Sequence, residues 1–115
     1  MEVFDMQDRG LLVLAAKAAG RDVIWKHGMH QGEPREGLYD RATGHATSWN
    51  PLTDDGDALR LAVKLELQLR LRHSENEVSV YGAPDGRIDE GVRGDPAAAT
   101  RRAIVRAAAE IGRDD

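Results

Sequence analysis

Four groups of residues carry the side chains with which this chain could do chemistry. Asp54, Asp55 and Asp57 follow Thr53. Oxygen donors so closely spaced could converge on a hard divalent cation, opening the way to a metal-dependent hydrolase. The spacing does not meet the calcium-loop pattern, which needs acids at alternating positions before the glycine and a distant glutamate. A helix N-terminus explains the same residues, with Thr53 or Asp54 as its cap and the acids against the positive end of its dipole. His27 and His30, three apart, would make half of a zinc site on a helix, with His45 or Glu33 as further ligands. The surrounding residues are glycine-rich, however, and the sequence places no completed ligand set, so these histidines are expected to be solvated.

Arg101, Arg102, Arg106 and Arg113 lie along one C-terminal segment, and Arg70 and Arg72 share a strand face. Such a track, with Arg102, Arg106 and Arg113 as its contacts, is what a nucleic-acid-associated protein would use. Against it stand 20 acids to 16 bases and an aromatic content of 4%. That leaves little to stack on bases and makes solvated arginines the expectation. Ser48, Ser74 and Ser79 sit in no Gly-x-Ser-x-Gly elbow, and no glycine loop has the lysine and strand-to-helix context of a phosphate cradle. No catalytic constellation emerges, and neither catalytic residues, a cofactor nor a metal is expected.

These residues must be positioned by a small core. Of 115 residues, 24 are Leu, Ile, Val or Phe and 16 are Ala. One domain spanning 1–115 is expected, with self-association as a possible supplement. Lys17 interrupts the longest apolar stretch and no basic leader precedes a hydrophobic segment, so neither a membrane span nor a secretory signal is expected, and the chain reads as cytoplasmic. With no cysteine there are no disulfides, thiolate metal sites or cysteine nucleophiles.

Leucines and alanines at spacings of three and four predict a helix over 6–19, capped by Asp5 or Asp8 and closed by Gly20. Val23, Ile24 and Trp25 predict a strand at 22–26, and Leu38 and Tyr39 a weaker one at 37–40. Trp49, next to Asn50 and Pro51, reads as an anchor pinning a loop to the core. A second helix follows over 54–65, with Leu59, Ala62 and Val63 as its stripe. Then the period changes from 3.6 to two. Leu65, Leu67, Leu69 and Leu71 alternate with Glu66, Gln68, Arg70 and Arg72, which gives a hairpin of strands 66–73 and 77–82. Gly82 to Gly86 reads as a turn, after which Ile88 could begin a short edge strand. Asp95-Pro96 is a strong helix start, and the last helix is expected over 96–111, stopped by Gly112. The class is α+β: a small antiparallel sheet of about four strands layered with three helices, in the order α-β-(β)-α-β-β-α.

The stretch Trp49-Asn50-Pro51-Leu52-Thr53-Asp54-Asp55-Gly56-Asp57-Ala58-Leu59, continuing to Leu65, and the stretch Asp95-Pro96-Ala97-Ala98-Ala99-Thr100-Arg101-Arg102-Ala103-Ile104, continuing to Gly112, resemble a family of small bacteriophage and prophage proteins. That family is described as a phage α/β/α-sandwich domain. The resemblance runs through most of the chain in order and is least in 27–48. It implies a phage or prophage origin. The family has no established activity, so it assigns no functional residues here. The resulting expectation is a non-catalytic accessory or protein-interaction module, partnered by itself or by another phage or host protein. A sandwich covers both faces of its sheet, whereas the Leu/charged alternation leaves one face of its strand in water; an edge position for that strand reconciles the two.

Overall fold

A computed structural model of the chain describes residues 6–30, 32–84 and 86–114. Three helices and five strands follow one another as α1 (Met6–Ala18), β1 (Val23–His30), β2 (Glu33–Asp40), α2 (Asp55–Lys64), β3 (Gln68–Arg72), β4 (Glu77–Ala83), β5 (Gly86–Gly91) and α3 (Pro96–Asp114). The α+β class agrees with the sequence, and the element order departs from the expected α-β-(β)-α-β-β-α by one further strand, β5. The strands form two antiparallel sheets, β1-β2 and β3-β4-β5, where a single sheet was expected. Among the described residues no helix is long and apolar enough to cross a membrane.

The punctuation of the helices follows backbone chemistry. At the end of α1 the Gly20 N–H donates to Lys17 O at 3.1 Å and the Arg21 N–H to Ala16 O at 2.9 Å, with Gly20 at φ 75°. This is the paired-bond closure that a left-handed glycine permits. Asp5, one of the two caps considered for α1, lies outside the described residues. Asp54, not Thr53, caps α2, its carboxylate accepting from the Asp57 N–H at 2.7 Å. Thr53 belongs to the preceding turn, where its own N–H donates to Asn50 O. Asp95 caps α3 by accepting from the Ala98 N–H at 3.1 Å.

The change of period near residue 65 has a physical hinge. The Glu66 N–H reaches Val63 O and the Leu67 N–H reaches Ala62 O, closing α2 with Glu66 at φ 55°. Pleated pairing therefore begins at Gln68, two residues later than 66. A non-glycine residue in this left-handed well costs about 1 kcal/mol. Glu66→Gly is accordingly expected to raise stability by about 0.5 kcal/mol, whereas glycine elsewhere in an element lowers it. Chemical denaturation reads the sign.

β3 pairs with β4 from Gln68↔Tyr81 to Arg72↔Glu77, and it is an edge strand. β5 is a full partner of β4 on the other side, beyond the short strand considered at Ile88. Gly82, at φ 119°, lies where the β4–β5 register shifts, so it bends a strand that continues to Ala83. The inward side chains Val78, Val80 and Ile88 are buried. The opposite face carries Arg70, Arg72, Tyr81, Arg87 and Asp89, all exposed or half-buried. The solvated face inferred from the alternation thus extends across the sheet except at Ser79, which lies on the same face beside Arg72 and Asp89 and is fully buried.

α3 lies between this sheet and α1, with α2 beside it. That position explains its composition. Alanines and small apolar residues on nearly every side of the helix, among them Ala103, Val105, Ala107 and Ala108, are buried, and on α1 Ala15 and Ala16 are buried too. These alanine faces are spent on the internal α1–α3 contact. α3 also runs past Gly112, which is buried inside the helix and has no positive φ. The glycine serves close approach to α1, not termination.

The 28–48 region, least legible in the sequence, is mostly a hairpin. β1 and β2 pair along their length from Val23↔Asp40 to His30↔Glu33, and the chain folds back through an isolated Tyr39↔Ala46 bridge. Glu36 ties the hairpin to α1. It accepts from Trp25 Nε1 at 3.0 Å and pairs with Arg9 at 2.9 Å.

Candidate functional site

An apolar groove of about 510 Å³ opens between α2, β3 and the first turns of α3. Its walls are Ala58 and Leu59 of α2, Leu69 and Leu71 of β3, and Pro96, Ala97 and Ile104 of α3. It exists because α3 covers β4 and β5, leaving the inward side of edge strand β3 short of a covering helix. Leu59 is 59% and Leu71 53% exposed, and Val63, one helical turn beyond Leu59, is 68% exposed. These are the exposed large hydrophobic residues among the described ones, and all three lie on α2 or β3. Apolar side chains left together in water mark contact surfaces.

The polar groups at the rim are already engaged. Arg101 donates from Nε to Leu52 O at 2.9 Å and from Nη1 to Asp55 at 2.6 Å, fastening the start of α2 to α3. Asp95 is the α3 cap, and the Thr100 hydroxyl donates to Pro96 O at 2.8 Å. What the groove offers an incoming group is therefore apolar surface bordered by charge.

The sequence-level candidates are placed elsewhere or paired internally. Arg102 pairs with Asp8 at 2.9 Å, Arg106 with Glu90 at 2.6 Å and Arg113 with Glu110 at 2.6 Å. The three guanidinium groups cross-link elements of the fold, so they form no free track. On the open sheet face Arg72 pairs with Glu75 and Glu77. Arg87 and Arg70 donate to the Tyr81 phenol and hold it below its ordinary value of 10. The buried Ser79 hydroxyl donates to Asp89 at 2.7 Å, and Ser48 and Ser74 are exposed.

His27 and His30 lie in strand β1, so the helical spacing that would make them half of a zinc site does not occur. His45 is exposed in the loop after β2 and uses its backbone carbonyl to accept from the Asp40 N–H. Among the described residues no group of three or more His, Cys, Asp or Glu is arranged to hold a metal ion.

Of the three aspartates, Asp57 has a structural task of its own. Its carboxylate accepts from the Asn50 N–H at 2.9 Å and from Arg60 at 2.8 Å, clamping the Trp49–Pro51 loop onto α2. Burial pushes its pKa up, but the Asn50 N–H and Arg60 outweigh this, leaving it below the ordinary 3.8. A depressed carboxyl contributes stability that is complete above the unfolded value and is lost as pH falls through the folded one. Asp57→Asn is therefore expected to cost about 1 kcal/mol at pH 7, with the gap to the parent closing below roughly pH 3.8. Urea denaturation at pH 7 and pH 3 measures both ends.

The leucines of the groove were visible as apolar residues but not as exposed ones. The signal was in the helix wheel. At 100° per residue, Leu61, Ala58, Ala62, Leu59 and Val63 sweep an arc of roughly 200°, wider than a single core-facing stripe needs. The core takes Leu61, Ala58 and Ala62 and leaves the other two. No family model, curated protein or solved structure matches this chain.

Proposed function

We propose that the protein is a small, non-catalytic interaction module of phage or prophage derivation, acting in the bacterial cytoplasm by pressing the α2–β3–α3 groove against another protein. The origin rests on the likeness of segments 49–65 and 95–112. The binding role rests on one observation: in a chain with so few large apolar residues, Leu59 and Leu71 stand exposed on the walls of one groove, with Val63 exposed one helical turn along α2 from Leu59. Its rim acids, hydroxyl and guanidinium are committed to caps and ion pairs, which favours binding over acid–base chemistry.

The test is a photo-crosslinking residue placed at position 59 and, as a control, at exposed position 43, in cells producing the protein. Position 59 is expected to give an adduct of one defined mass, identified by mass spectrometry, and position 43 none. Adducts at 43 alone, or none at either position, would contradict the reading.

A further inference from the structure

We infer that the partner protein reaches the groove with an extended segment, added as a further strand along the free edge of β3. Its residues opposite Leu69 and Leu71 are apolar, and the residue between them, opposite Arg70, is acidic. The inference rests on the reading of the groove as an interaction surface and adds the chemistry of the partner.

The first support is the backbone. A strand at the edge of a sheet turns the N–H and C=O of every second residue away from its neighbour. β3 pairs with β4 alone, and among the described residues no backbone hydrogen bond outside that ladder involves 68–72. On β5, the opposite edge strand, α3 occupies a backbone carbonyl, Arg106 donating to Asp89 O at 2.8 Å. β3 also carries no proline and pairs with β4 without a register shift, so it lacks two of the devices that spoil an edge for pairing. Its five residues offer roughly 17 Å of main chain to an incoming strand.

The second support is the alternation beside that edge. Leu69 and Leu71 line the groove, and Arg70 is exposed on the other face of the sheet. Residues directly opposite one another on paired strands share a face. Side chains set opposite the two leucines therefore fall on the groove side, where Leu59 of α2 is also exposed. An extended segment is the one shape that meets the free backbone and the apolar wall together.

Charge decides the residue between. Arg72 pairs with Glu75 and Glu77, whereas Arg70 has no acid partner among the described residues and donates to the Tyr81 phenol. A carboxylate opposite Arg70 supplies the missing ion pair across the strands. A second β3 in that place would set arginine against arginine, so the added strand comes from a different, acidic sequence.

The test is amide NMR of the isotope-labelled full chain titrated with the peptide acetyl-Ser-Thr-Leu-Glu-Val-Thr-Ser-amide. Saturable shifts are expected at 68–72 and at Leu59, with a dissociation constant on the order of 100 µM. Two N-methylated versions separate strand pairing from plain apolar contact, one blocked at the third and fifth amides and the other at the second, fourth and sixth. A strand bonds along one edge, so one version is expected to bind at least ~10-fold more weakly and the other within about threefold of the parent peptide. Replacing the peptide's glutamate by lysine should weaken binding several-fold, and Arg70→Glu should reverse that order. Because Arg70 is exposed, this variant should melt within a few degrees of the parent protein, so a changed preference cannot be mistaken for a lost fold. Equal binding of the two methylated peptides, an order of glutamate and lysine peptides unmoved by Arg70→Glu, or no shift at 68–72 up to about 2 mM peptide would each overturn the inference. With position 59 still giving its adduct, any of these would overturn only the added strand. With no adduct at 59, the interaction reading would fall as well.

Discussion

A Gly112→Ala protein is expected to lose about 3 kcal/mol of stability and to melt some 15 °C lower than the parent. A Cβ at position 112 would overlap the Leu14 carbonyl oxygen and lie 2.9 Å from the Leu14 carbonyl carbon. Both obstacles are backbone atoms of α1, so no side-chain rotation relieves them. Alanine is worth about 1 kcal/mol more than glycine in a helix interior. The substitution therefore sets a modest gain against the forced separation of α1 from α3, the helix pair that buries Leu12, Ala15 and Ala107. The separation wins. Gly10→Ala is the internal control. Gly10 also lies in a helix, but an added Cβ there meets nothing within 4 Å, so the same replacement should raise stability by about 0.5–1 kcal/mol. Opposite signs for one chemical change would locate the effect in the α1–α3 contact. Calorimetry or urea titration of the three proteins measures it.

Trp49→Ala is expected to cost about 3–5 kcal/mol, which for a chain of this size approaches its whole stability. Trp49 is 7% exposed and packs with the buried cluster that includes Leu38, Leu61 and Ile104. Arg21 covers its ring at 5.0 Å from the centroid. Its position is fixed by a short chain of bonds: the Trp49 N–H donates to the Thr47 hydroxyl at 3.2 Å, the Asn50 N–H to Asp57, and the Leu52 N–H to the Asn50 side chain at 3.1 Å. Removing the indole leaves a cavity that this hydrogen-bonded loop cannot collapse to fill. Trp49→Phe keeps most of the apolar volume and should cost about half as much. A variant that remains folded at 25 °C with an unchanged urea midpoint would contradict the anchoring role.

Much of this architecture was legible because the residues that specify it act locally. Gly20 after an alanine-rich helix, Asp95 before Pro96 and the Leu/charged alternation through Arg72 each fix backbone geometry within a few residues of themselves. The structure places a closed helix end, a helix start and an antiparallel strand at those points. Features that depend on distant partners were less legible. β2 reads Glu-Pro-Arg-Glu-Gly-Leu-Tyr-Asp, without alternation, and its partner β1 gives it register. Gly112 looks like a helix stop until α1 is seen against it. Arg102 and Arg106 look like a cationic face until Asp8 and Glu90 come within reach, residues 94 and 16 positions away in sequence. The groove belongs to this second class. The width of the α2 apolar arc shows that some of its residues exceed what the core needs but not that Leu59 is among them, and Leu71 carries no mark distinguishing it from core leucines, since what exposes it is the placement of α3 over β4 and β5 instead of β3.

The central claim is that the α2–β3–α3 groove is a contact surface, and its most direct test is an amide NMR spectrum of the isotope-labelled chain recorded alone and with the protein captured by crosslinking at position 59. Shifts on addition are expected at residues 56–64 and 68–72 and around Ala97, with the β1–β2 hairpin and Arg87–Gly91 unmoved. Shifts confined to the hairpin or to the open face of the sheet, with α2 and β3 silent, would contradict the claim.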